Sequence, residues 1–227
     1  MQKRKQTTAQ FSNIPKDTTV AGKLALQDEG YYENMNVTGQ DFSGQAFHAL
    51  KFEGCLFKNV NVSQMRMVDV TFSNCKFEDC DFANCKLEKT LLENSEFIKC
   101  RMTGFRAIEA SVKKVLFKNC QLKLSQFRMG TFKHSVFEHC ILEESDFYGA
   151  DLSGTLFKES NITKAEMSAS ILRGADFRTS TIAGLNVGIQ SIQGAVIDPT
   201  QVKDLAWLLG VRIEWGSGDE YHGNVAR

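Results

Sequence analysis

A period of five dominates this sequence. Steps of five from Val37 to Ile197 visit 33 positions, and 32 of them are Phe, Leu, Ile, Val or Met, with Ala107 the exception. Fifteen of the 17 phenylalanines fall on this register. A helix repeats near 3.6 residues and a strand near 2, so neither holds such a register over 160 residues without slipping. The position two before each centre is compact as well. It carries all seven cysteines, and Ser, Ala, Thr, Gly or Val at most other places. The remaining three positions are mostly polar, charged or glycine. Each five residues therefore point one large and one compact side chain inward, and the chain turns between them.

Four such turns close a square coil of 20 residues. Phe57, Phe77, Phe97, Phe117, Phe137, Phe157 and Phe177 form an unbroken column at that spacing. Coils stacked at the strand-pairing distance of ~4.8 Å place these rings one above another. About eight coils make a rod of roughly 40 Å in which each repeat touches only its neighbours. The segments Ala150-Asp151-Leu152-Ser153-Gly154, Ala175-Asp176-Phe177-Arg178-Thr179 and Cys80-Asp81-Phe82-Ala83-Asn84 resemble the repeat of the pentapeptide-repeat family. The resemblance covers about residues 37–197 and implies an all-β fold, a right-handed quadrilateral β-helix.

The expected organisation is a flexible arm over 1–28, the β-helix over 29–197, a cap over 198–215 and a disordered tail over 216–227. Tyr31 and Tyr32 should begin a cover over the first coil, since an open end exposes apolar side chains and unpaired edges. At the other end Asp198 suits a helix N-cap, Pro199 the first helical position, and Gln201 the third position of a capping box. Val202, Leu205, Ala206 and Leu209 then recur at helical spacing, and Gly210 ends the helix. Val211 to Trp215 alternates like a short strand. At one place the rule inverts: Phe105 takes the compact position and Ala107 the large one. We read this as a volume-conserving exchange in the core rather than a bulge.

Little here points to catalysis. The four histidines lie beside no base or nucleophile, and no phosphate loop, nucleophile elbow or paired-carboxylate signature is present. Cys80, Cys100, Cys120 and Cys140 would stack in a line rather than surround a metal, so they read as small apolar filler. We expect no enzyme activity, no cofactor and no metal.

Lys, Arg, Asp and Glu sum to zero net charge, which argues against a general nucleic-acid binder. The longest apolar run, Leu205–Val211, is too short to cross a membrane. The basic start, Met1 to Lys5, is followed by no apolar segment, so we expect no signal peptide and a cytoplasmic protein with free thiols.

Two surface features remain. From Lys99 to Lys133 there are nine basic residues and one acid, Glu109, between acidic flanks. This band, with Lys113, Lys114 and Lys118, either steers an anionic partner or pairs with its flanks along the stack. Leu116, Val136 and Leu156 should sit on outer faces of consecutive coils. They either mark an interface or lie under a covering segment.

The C-terminus resembles Qnr-type quinolone-resistance proteins through Gly194-Ala195-Val196-Ile197-Asp198-Pro199, Gln201-Val202 and Leu208-Leu209-Gly210-Val211-Arg212-Ile213. That resemblance implies a homodimer joined end to end by the C-terminal helix and strand, here Val202, Leu205, Leu208, Leu209, Val211, Ile213 and Trp215. It also implies binding to DNA gyrase or topoisomerase IV and protection from quinolones. No inserted loop interrupts the register, so no loop residue carries over. The alternative is a general protein-interaction scaffold that uses the Leu116–Leu156 stripe or the basic band.

Overall fold

The computed structural model describes residues 19–20 and 22–211. It is a parallel β-solenoid with four walls, each a ladder between residues 20 apart. Wall 1 pairs Val37 with Phe57 and continues through Phe77, Phe97, Phe117, Phe137 and Phe157. Its outer rungs run from Asn36 to Val196 in eight steps of 20 residues. Wall 2 is a chain of bridges from Asp41 to Thr181. Wall 3 pairs Phe47, Met67, Leu87 and Ala107, and wall 4 pairs Tyr32, Phe52, Phe72, Leu92, Val112 and Phe132.

The corners explain the period. Every fifth residue from Glu29 to Gly174 has positive φ, as do Gly184 and Gly194. Left-handed backbone reverses the direction of the chain locally and is cheapest for Gly, then Asn and Asp. Many corners obey that order, including Asn59, Asn74, Asp79 and Gly154. Leu124 and Met129 do not, so the stacking geometry overrides local preference there. The Asp or Asn before each centre also has a local task. Asp41, Asn61, Asp81, Asp146, Asp151, Asn161 and Asp176 each accept from the N–H two residues on, which holds the approach to the corner.

Large side chains fill the tube. From Phe57 to Phe177 the wall 1 rings stack with centroids 4.6–5.2 Å apart, and all seven are buried. Rings of adjacent walls meet edge-on, as Phe77 does with Phe82 at 5.2 Å. Phe105 and Ala107 are both fully buried. Phe105 reaches Phe82 and Phe127 at 6.0 and 5.9 Å, while Leu87 pairs with Ala107 in unbroken register. The inversion is therefore an exchange of volume between neighbouring inward positions.

Both ends are closed. Residues 22–28 are not a free arm: Leu24 and Leu26 pack on the core, and Gln40 holds Leu24 N–H and the Gly22 carbonyl. The strand β1, Thr19–Val20, pairs with Met35 and Asn36, 16 residues on rather than 20. The cover thus starts earlier than the expected boundary at 29, because a shorter coil can narrow over the open end. Tyr32 stacks on Phe52 at 5.1 Å and donates its hydroxyl proton to the Ala25 carbonyl. Tyr31 points out.

At the C-terminus the expected capping box is present: Asp198 accepts from Thr200 N–H, and Gln201 Oε1 accepts from Asp198 N–H. The helix is not continuous, however. A 3-10 turn, Pro199–Gln201, leads into one α-turn, α1, Val202–Leu205, and a second 3-10 turn, Ala206–Leu209, ends at left-handed Gly210. Residues 212–215 of the anticipated strand lie outside the described residues, as does the tail.

Candidate functional site

Six of the seven cysteines are placed by a backbone need that their positions alone do not reveal. At the corner after wall 2 the central carbonyl accepts from the N–H three residues on. Val62, Phe82, Met102, Leu122 and Leu142 all bond in this way. Among the described residues, the wall 1 carbonyls of Phe57, Phe77, Phe97 and Phe117 lack that turn bond. Each accepts instead from a thiol on the next coil: Cys80, Cys100, Cys120 and Cys140 donate at 3.4, 3.5, 3.2 and 3.3 Å. Ser160 and Ser180 continue the column by donating to Phe137 and Phe157. After wall 4, Cys55, Cys75, Ser95 and Thr155 serve Tyr32, Phe52, Phe72 and Phe132.

The column ends at Gln201. Its Nε2 donates to the Phe177 carbonyl at 2.8 Å and to the Ser180 carbonyl at 2.6 Å. The carboxamide stands where the next coil's hydroxyl would be. The converse holds at turn-bonded corners, where the carbonyl is already engaged: Ser125 and Ser145 hydroxyls there have no partner. Burial pushes the thiols of Cys75, Cys100 and Cys140 up, and that of Cys85 up to about 12. Buried thiols held in this way are poor nucleophiles. No three His, Cys, Asp or Glu side chains come together as a metal set among the described residues.

The outer walls resolve the charge bands. Basic residues pair with acids one coil away: Arg101 with Asp81, Lys113 with Glu93 at 2.8 Å, Lys118 with Glu138 at 2.7 Å and Lys123 with Glu143 at 3.1 Å. Arg128 meets Asp146 at 2.9 Å and lies over the Tyr148 ring. Lys118 and Lys158 flank Glu138 and hold its carboxyl below the usual range. Five of the nine basic residues in the band are thus engaged. Lys99, Arg106, Lys114 and Lys133 hold no ion pair among the described residues.

Leu116, Val136 and Leu156 are in direct register on wall 1. Leu156 is exposed, whereas Leu116 and Val136 are half-buried between their neighbours. Lys113, Lys114 and Lys133 are exposed at the adjoining corner.

The C-terminal cap has two sides. Leu205 and Ala206 are buried and Leu208 packs against the core cluster. Val202, Trp207, Leu209 and Val211 face outward, with Leu209 76% exposed. The expected joint therefore divides: Leu205 and Leu208 seal this coil, and Val202, Leu209 and Val211 are available. Trp207, which the helical spacing did not single out, joins them because the 3-10 turn rotates it outward. Ile213 and Trp215 lie outside the described residues. No helix among the described residues is long and apolar enough to cross a membrane.

Comparison with family models agrees with this architecture. A family model described as a pentapeptide repeat region matches residues 70–138, and one described as pentapeptide repeats matches residues 140–178. Among solved structures the chain is similar to QnrB1, a plasmid-mediated fluoroquinolone resistance protein. The identity is 18%, over 82% of this chain and 100% of that chain, with a TM-score of 0.42. It is also similar to HetL, a pentapeptide repeat protein involved in heterocyst differentiation regulation from the cyanobacterium Nostoc sp. There the identity is 14%, over 75% and 87% of the two chains, with a TM-score of 0.33. No curated protein matches the chain. The family-model matches and the four-walled stack of five-residue repeats identify residues 70–138 and 140–178 as pentapeptide repeats.

Proposed function

We propose that this protein is a non-enzymatic binding rod that pairs end to end through its C-terminal cap and acts on another protein. The supporting observation is the cap itself. Gln201, Leu205, Ala206 and Leu208 close the last coil, yet Val202, Trp207, Leu209 and Val211 leave apolar surface on its outer side. A cap that only sealed the core would be polar outside, and contiguous exposed apolar side chains mark interfaces. Val202→Asp with Leu209→Asp should halve the mass measured by sedimentation while keeping the β signal, because neither side chain supports the core. An unchanged dimer mass would remove the cap as the joint.

The partner we infer is DNA gyrase or topoisomerase IV, on the strength of the Qnr-like C-terminal segments Gly194–Pro199 and Leu208–Ile213. The test is supercoiling by purified gyrase with a quinolone, titrated with this protein. Protection, seen as supercoiling restored at a fixed drug concentration, is the expected result. If no dose changes drug inhibition or supercoiling, the topoisomerase reading fails and the rod serves another partner.

A further inference from the structure

The corner between walls 4 and 1 carries positive charge beside apolar surface. One strand of the solenoid, Ser111–Lys118, is continuous around this corner and brings Lys113 and Lys114 within the same element as Leu116. The next coil repeats the arrangement with Lys133, His134 and Val136. Lys113 and Lys133 stand directly opposite each other in register. Like charges so placed repel, which the fold tolerates rather than seeks. Neither Glu93 nor Glu138 is left for Lys114 or Lys133. Glu93 is taken by Lys113, and Glu138 by Lys118 and Lys158. Lys114 and Lys133 remain without an ion pair among the described residues. The other stack of cations, Arg66, Lys86 and Arg106 on wall 3, differs because Glu88 contacts Arg66 through two hydrogen bonds and lies on the same wall.

The apolar part has a defined pitch. Leu116, Val136 and Leu156 repeat once per coil, about 4.8 Å apart along the rod. An α-helix advances about 5.4 Å per turn. A helix laid along the rod would therefore set one residue per turn on each of the three rungs, with a mismatch of about 1.2 Å over two steps. Side chains absorb that. Apolar anchors at i, i+4 and i+7 meet this requirement, as in other helix-in-groove contacts. The residues on one flank of those anchors would then face Lys114, Lys133 and His134.

We propose that this corner docks an amphipathic helix of a partner protein, with its apolar anchors on Leu116, Val136 and Leu156 and acidic residues toward Lys114 and Lys133. The inference rests on the reading of the chain as a protein-binding rod, but not on the identity of that protein or on the cap. Charge selects the occupant: the chain's own basic start, Lys3-Arg4-Lys5, would be repelled here.

The test uses the full-length protein and a fluorescent helical peptide of about 14 residues, roughly four turns. It carries Leu at i, i+4 and i+7 and Glu along one flank, and a control peptide has Lys in place of Glu. Anisotropy should rise with the acidic peptide alone, and its affinity should fall as salt is added, since the contact is at the surface. Lys114→Glu with Lys133→Glu should weaken binding at least about tenfold. Leu156→Ser, at an exposed position that cannot unfold the core, should weaken it independently. Sedimentation of these variants should be unchanged, which separates this surface from the cap. Equal binding of both peptides, charge reversal without effect, or no binding up to about 1 mM would each overturn the proposal.

Discussion

At a turn of the tube a single carbonyl decides which compact side chain belongs there. Cys120 is fully buried and donates to Phe97 O, which has no turn bond of its own. Cys120→Ala removes this donor from the buried carbonyl and should cost about 1 kcal/mol, read as a lower urea midpoint. Cys120→Ser keeps a donor, as Ser160 does two coils on, and should cost less than the alanine. Ser125 presents the opposite case. Its own N–H occupies Leu122 O, and its hydroxyl has no partner. Ser125→Ala should therefore be neutral or stabilising by about 1 kcal/mol. If both alanines shift the midpoint alike, the two columns do not differ in the way described. The distinction was not legible in the sequence, where cysteines looked like filler. Whether a corner makes its turn bond is a backbone property, and the five-residue pattern is the same either way.

Walls and caps show what a pattern can and cannot give. The wall 1 column was readable because large apolar side chains at a fixed interval admit one stacking. Phe117, with rings at 5.1 and 4.7 Å on either side, should cost ~3–5 kcal/mol on truncation to alanine. A loss below about 1 kcal/mol in denaturant would contradict its burial. The capping box at Asp198 was equally plain, since it depends on two residues three apart. What followed was not plain. Helical spacing put Leu205 and Leu209 on one face, but the change from α to 3-10 at Ala206 turns Leu205 inward and Leu209 out. The start of the N-terminal cover escaped as well, because Leu24 and Leu26 sit in a 16-residue offset that matches no repeat. Gln201 is the element's critical contact, joining the cap to Phe177 and Ser180. Gln201→Ala should raise amide exchange in residues 177–197 while coils near Phe97 stay protected. Uniform protection throughout would mean that the cap does not depend on this carboxamide.

Over the whole rod the charges do a different job from the core. The interior repeats every five residues, and its phenylalanine column from Phe57 to Phe177 recurs every 20. Pairs such as Glu93 with Lys113 and Glu138 with Lys118 and Lys158 are offset by 20, and so favour the same coil. Each is largely exposed, and such pairs contribute only about 0–1 kcal/mol, so their value is in register rather than stability. They still set the response to acid. The Arg66 guanidinium holds the Glu88 carboxyl below its usual range, and Lys118 does the same for Glu138. A depressed carboxylate contributes stability above its unfolded value, near pH 4, and that stability is lost as pH falls through the folded value. The thiols of Cys75, Cys85, Cys100 and Cys140, pushed up by burial, act at the other limit. Cys85 is pushed up to about 12, whereas an unfolded thiol ionises near 8.5. Its contribution is complete below the unfolded value and declines as pH rises toward the folded one. Urea midpoints should therefore be level from about pH 5 to 8, falling below about 4 and again above about 9. Cys85→Ala should soften the alkaline fall without moving the acid one. An alkaline fall that begins below pH 7 would mean that thiols ionise inside the tube, against the burial on which the column of donors depends.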